Sequence, residues 1–135
     1  MKIIGFGLTR IEAKKLDNIK DDLKINTNVE IKEIVKEEIE SLKDFYPLKI
    51  SFSFSVNYLE NIGYVNIDGY LVISTDKKEF KEILKDWEDK KIEDSIKLII
   101  LNFIITKVSL KALQLEEELN LPYHIPFPRI KKQKE

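Results

Sequence analysis

Apolar and polar residues alternate most strictly between Leu48 and Tyr58. Leu48, Ile50, Phe52, Phe54, Val56 and Tyr58 point one way, while Lys49, Ser51, Ser53, Ser55 and Asn57 point the other, which is the period of a half-buried strand. After the turn-like Glu60-Asn61-Ile62-Gly63, the alternation resumes from Tyr64 to Ser74. Here Val65, Ile67, Leu71 and Ile73 share one face and Tyr64, Asn66, Asp68, Tyr70 and Val72 the other, so the two runs predict an antiparallel hairpin. Residues 2 to 16 predict a further strand in which Gly5 and Gly7 mark a bulge or a close backbone approach, and Ile25 to Lys36 predict one more. Residues 34 to 46 fit either a helix or a long hairpin connection ended by Pro47.

At Thr75 the period changes. Asp76 followed by Glu79 has the spacing of a capping box, and Phe80, Ile83, Leu84 and Trp87 then fall on one stripe, predicting a short helix over about 77 to 89. A long helix follows from about Glu93 to Leu119. Its first half is apolar nearly all round, whereas a helix on the surface of a monomer shows one apolar stripe and one polar face. The expectation is therefore a helix with two buried faces, one on its own sheet and one on a partner helix, with Ile96, Ile99, Ile100, Phe103 and Ile104 as the oligomer interface; the alternative is that the short helix and the tail together cover the second side. Three of the four prolines lie between Leu121 and Ile130, which excludes helix and central strand and predicts an extended, apolar run. The chain is thus expected to form a single α+β domain over residues 1–130, an antiparallel four-stranded sheet followed by a short and a long helix. Residues 131–135 would form a frayed basic tail with Lys131, Lys132 and Lys134.

Composition narrows the function classes. The chain has 135 residues, the length of one domain, and 43% hydrophobic residues supply its core. A net charge of −1 provides no global field for nucleic acid or an anionic membrane, and only two of the 23 basic residues are arginine, Arg10 and Arg129, against wholesale nucleic-acid reading. With no cysteine there is no disulfide framework or thiolate nucleophile, which fits a cytoplasmic setting. The N-terminal apolar run is too short for a signal peptide, and Ile96 to Ile105 is far shorter than the roughly 20 residues a membrane span needs.

The chemistry-bearing residues give no enzyme motif. His124 is the lone histidine, its neighbours are Pro, Tyr and Ile, and no GxSxG elbow occurs, so it reads as a packing or capping residue. One histidine without cysteine is poor zinc chemistry, and Gly5-Phe-Gly7 lacks the third glycine and the helix of a dinucleotide fingerprint, so neither metal nor cofactor is expected. Glu116, Glu117 and Glu118 point about 100° apart around the helix and read as a solvated face, as do Glu37, Glu38 and Glu40.

What remains is apolar surface in excess of one core. Aromatic concavities and strand edges bind extended peptides with little selectivity, because apolar burial is non-directional and edges supply backbone partners. The candidate peptide-binding residues are Phe52, Phe54, Tyr58, Tyr64, Tyr70, Tyr123, Ile125 and Phe127; the alternative, stronger for most of them, is plain core, and the hydroxyls of Tyr64, Tyr70 and Tyr123 suit half-buried rims.

The order of these elements resembles the SecB family of protein-export chaperones. The resemblance rests on the strand Leu48-Lys-Ile-Ser-Phe-Ser-Phe-Ser-Val56, on Gly63-Tyr-Val-Asn-Ile-Asp-Gly-Tyr-Leu-Val-Ile73 with its internal glycine, and on Leu119-Asn-Leu-Pro122 after the long helix. It implies four strands in a meander-like sheet, no enzymatic activity, an ATP-independent holdase, and a homodimer or homotetramer joined through first-strand and long-helix contacts. Non-native chains would be bound in apolar grooves between sheet, helix and connector. Two features depart from the bacterial pattern: a whole helix with Trp87 precedes the long helix, and the chain ends in a short basic tail. A relative outside the bacterial export pathway, archaeal or linked to a toxin–antitoxin system, therefore fits better than a protein-transport factor. Two alternatives from other classes are an oligomeric adaptor that binds one fixed partner through the Pro-rich segment, and a small-molecule enzyme centred on His124.

Overall fold

The computed structural model describes residues 1–132. Residues 133–135, Lys134 of the expected tail among them, lie outside the described residues. Four strands, β1 (Lys2–Lys15), β2 (Lys24–Lys36), β3 (Leu48–Leu59) and β4 (Gly63–Ser74), form one antiparallel sheet in the order β1-β4-β3-β2. Strands β2, β3 and β4 follow one another as a meander, but β1 lies beside β4 instead of β2, so the link between β1 and β2 crosses the end of the sheet. The sheet is thus meander-like over three strands, and the place of β1 makes the whole a Greek-key order. The link is held to the β3–β4 turn, where the Leu16 and Asp17 amides both donate to the Ile62 carbonyl.

The central strands keep an unbroken register, with Ile50 opposite Leu71 and Phe54 opposite Ile67. Each irregularity falls on an outer strand. Ile4 and Thr9 are extra residues in β1 opposite β4, and Lys32 is one in β2 opposite β3. Such bulges twist an edge and interrupt its flat run of backbone groups. Gly7 makes the close approach expected of it: a Cβ there would sit 2.8 Å from the Tyr70 ring lying over it.

The ambiguous stretch 34 to 46 divides: its first residues continue β2, and Glu40–Phe45 form a 3₁₀ turn. The Thr75 amide and hydroxyl donate to the Phe45 and Tyr46 carbonyls, which docks this connection on the start of α1 (Lys77–Glu88). The capping box forms as expected, with the Glu79 amide donating to Asp76 Oδ1 at 2.8 Å and the Asp76 amide donating back to Glu79 Oε1. The long helix α2 spans Asp94–Glu118. No helix among the described residues is long and apolar enough to cross a membrane.

The core lies on one side of the sheet. Leu48, Ile50, Phe52, Phe54, Val56 and Tyr58 of β3 and Val65, Ile67, Leu71 and Ile73 of β4 are buried there, under Ile83 of α1 and Ile100, Ile104, Val108 and Ala112 of α2. Each of these large side chains contributes roughly 1.5–3 kcal/mol by leaving water. The opposite face is polar. Ser53 Oγ donates to Asp68 Oδ1 at 2.7 Å, and Arg10 pairs with both Asp68 and Glu12.

Candidate functional site

The C-terminal segment is placed by the way α2 ends. Asn120 takes a left-handed conformation (φ 54°), the Leu121 amide donates to the Glu116 carbonyl at 2.8 Å and the Asn120 amide to that of Glu117. This is a Schellman motif, and it reverses the chain so that the segment starting at Leu121 turns back on α2 as a strap. Leu121 is buried, and the Tyr58 hydroxyl donates to the Pro122 carbonyl, tying the strap to the floor of the core.

Two residues further on, His124 enters a polar cluster that the sequence did not reveal. Its backbone N–H donates to Glu116 Oε1 at 3.1 Å, and its Nδ1 lies 2.8 Å from Glu116 Oε2. Nε2, on the far side of the ring, lies 3.2 Å from the Ser109 hydroxyl. The imidazole packs edge-on against Phe54, centroids 5.7 Å apart. Burial raises the Tyr58 hydroxyl pKa, and the Glu116 carboxylate beside it adds to the rise.

Glu116 is therefore a correction. It was grouped with Glu117 and Glu118 as a solvated face, yet it is fully buried while its two neighbours are exposed. The reason is its place on the row Ile100, Ile104, Val108, Ala112, Glu116, one residue per turn along the side of α2 that meets the sheet. That row was the available signal. Ser109 and His124 are buried with it, and the order Ser–His–carboxylate matches a hydrolase relay. The setting differs from one. Ser109 sits mid-helix, where its backbone amide serves the helix and its hydroxyl is enclosed, so the chain of hydrogen bonds holds the strap in place. His124 packs on Phe54 and bridges Glu116 and Ser109.

The expected peptide-binding residues do not form one surface. Phe52, Phe54 and Tyr58, at 2%, 0% and 1% exposure, lie beneath α2 and the strap as core, and in this arrangement they are closed to a ligand. Tyr64 and Tyr70 lie half-buried on the opposite, polar face. The Tyr64 hydroxyl donates to Glu12 Oε1 at 2.8 Å, and the Lys49 ammonium sits 4.8 Å above the Tyr70 ring. Tyr123 and Phe127 are exposed on the strap, ring against ring at 4.9 Å, with Ile125 half-buried between them.

The expected oligomer set divides as well. Ile100 and Ile104 are fully buried against the chain's own sheet, so they belong to its core; Ile96 and Phe103 are half-buried, Phe103 edge-on to Phe6 at 5.7 Å; Ile99 is exposed. Away from the sheet, α2 also exposes Leu98, Ile105 and Leu110, the last 69% exposed.

The SecB-like chaperone of Mycobacterium tuberculosis, solved in complex with a ChAD peptide from the HigA1 antitoxin, aligns with 96% of this chain and 89% of its own. The TM-score is 0.60 and the sequence identity 10%. No family model and no curated protein matches the chain. The chain has a SecB-like α+β fold, an antiparallel four-stranded sheet followed by helices, as its element order implied.

Proposed function

We propose that the chain is a chaperone-like protein of the cytoplasm that holds non-native polypeptide on apolar surface without a nucleotide cycle. The observation that carries this reading is the apolar surface left over when the core is complete: Leu98, Ile99, Ile105 and Leu110 along α2, and Tyr123 and Phe127 on the strap. Along one helix and the segment that follows it, these side chains offer the apolar area that an interaction site uses. The likeness of fold to a chaperone solved with a bound antitoxin peptide supports polypeptide as the ligand class. In this reading the outward side of α2 joins two or four copies, and the strap, through Tyr123, Ile125 and Phe127, contacts clients. No enzymatic step is involved.

The test is to dilute a chemically unfolded client into buffer with the protein, without nucleotide, and follow light scattering. The expected outcome is suppression of aggregation near stoichiometric ratios. Tyr123→Ala with Phe127→Ala should weaken that protection and leave the mass in solution unchanged. Aggregation at the uncatalysed rate with wild-type protein would sink the reading. Recovery of one dominant native partner in a pull-down would favour the adaptor alternative.

A further inference from the structure

A groove of about 690 Å³ runs between the outer strand β2 and the corner where α1 passes into α2. Val29 and Ile31 of β2, with Trp87, Ile92 and Leu101 from the helices, give it an apolar floor, each side chain half-buried. Lys32, Lys90, Lys91 and Lys97 stand on its rim against two carboxylates, Glu30 and Asp94. The chain as a whole carries a net charge of −1, so this excess of positive charge is local. Lys32 is paired with Glu30 at 3.1 Å, and Asp94 occupies the first turn of α2, where the helix dipole favours a carboxylate. The Lys90 ammonium is held 4.7 Å over the Trp87 ring. Lys91 and Lys97 are exposed and have no ion-pair partner among the described residues.

Strand β2 is also an edge, since the sheet order leaves its outer side without a neighbouring strand. An extended segment laid along β2 up to the Lys32 bulge finds backbone hydrogen-bond partners, apolar pockets and unpaired ammonium groups together. A second copy of β2 would bring its own lysines against these, and like charges at close quarters disfavour that pairing. We propose that this groove seats an extended, acidic, apolar-rich polypeptide segment, its apolar side chains on the floor and its carboxylates against Lys91, Lys97 and Lys90. The proposal rests on the polypeptide-holding reading and gives it a sequence preference.

Trp87 is the chain's sole tryptophan, so its emission reports occupation of the groove directly. The probes are two synthetic peptides of identical valine and isoleucine content, one with glutamate and the other with lysine at the remaining positions, titrated at low salt. Two or three exposed ion pairs predict roughly tenfold tighter binding of the glutamate peptide. Both substituted side chains are exposed, so Lys91→Glu with Lys97→Glu should fold normally; it should abolish the preference, as should half-molar salt. Equal affinity for the two peptides, or no emission change with either, overturns the proposal. So does an equal shift with a single-stranded oligonucleotide of matched charge, which would make the groove a general polyanion site. An emission change that tracks protein concentration alone would assign it to a second copy. The light-scattering assay separates the two claims. Protection of clients with no Trp87 response removes the groove assignment alone, and selective peptide binding without protection removes the holdase reading and leaves the docking site.

Discussion

Replacing His124 by alanine should be among the most costly single changes in the chain. The substitution removes the donor at 2.8 Å from Glu116 Oε2 and leaves a fully buried carboxylate with the backbone N–H of residue 124 as a remaining donor. A hydrogen bond to a charged group contributes about 1.5–3 kcal/mol, and the Ser109 hydroxyl loses its partner as well. The edge-on contact with Phe54 adds about 0.5–1.5 kcal/mol beyond its buried area. Breaking a buried pair by deleting one member typically costs about 3–5 kcal/mol, in line with these parts taken together. Against a total stability of about 5–15 kcal/mol, and at about 4 °C per kcal/mol for a domain of this size, the melting temperature should fall by roughly 12–20 °C. Circular dichroism melts supply the measurement, and limited proteolysis within residues 121–130 reports release of the strap. The control is Glu116→Leu with His124→Leu, which removes both polar groups and should recover most of the loss, because apolar replacement of a buried pair is often close to neutral. A loss below about 1 kcal/mol in His124→Ala, or a double variant no better than the single one, would refute the account of the cluster as a buried fastening.

Four other outcomes follow from the geometry. Burial and the neighbouring Glu116 raise the pKa of the Tyr58 hydroxyl above its ordinary value near 10, so its contribution to stability is complete below pH 10 and falls above it, by about 1.4 kcal/mol per pH unit, as the unfolded chain ionises first. Urea titrations at pH 8 and pH 11 should therefore show Tyr58→Phe losing about 1 kcal/mol at the lower pH and closing or reversing that gap at the higher. Gly69→Ala would drive a Cβ into the Gly7 carbonyl oxygen and place it 2.8 Å from the Phe52 ring, and should prevent β1 from seating on β4, visible as lost amide-exchange protection in β1. Asp76→Ala should cost about 1 kcal/mol in a thermal melt through loss of the cap on α1. Under the oligomer reading, Leu98→Lys with Leu110→Lys should lower the mass in solution while keeping the circular dichroism spectrum of the wild type.

Strand β3 was legible because its alternation is strict, and the same parity sends Phe52, Phe54 and Tyr58 into the core together. Parity says which residues share a face but not which face is covered, so Tyr64 and Tyr70 could be grouped with those core aromatics although the sheet stands between them. In α2 the difficulty is different. A helix apolar nearly all round has a period but little phase, and only its packing on the sheet distinguishes Ile100 and Ile104 from Leu98 and Leu110. Glu116 was hidden by its neighbours in a run of carboxylates, since a charged type carries a strong prior for solvent that only the one-per-turn row with Ile104 and Ala112 overrides. The place of β1 beside β4 depends on a long link across the sheet end and has no local signature.

That placement bears on how the chain folds as it is made. Strands β3 and β4 are joined by a tight turn and keep a continuous register, so they can pair soon after both have emerged. Strand β1 is synthesised first, yet its partner residues in β4 follow roughly fifty to seventy positions later, several seconds at a synthesis rate of about 5–20 residues per second. During that interval Phe6, Leu8 and Ile11 have no sheet to rest on. The nascent N-terminus of this protein is thus, for a few seconds, the kind of chain it is proposed to hold.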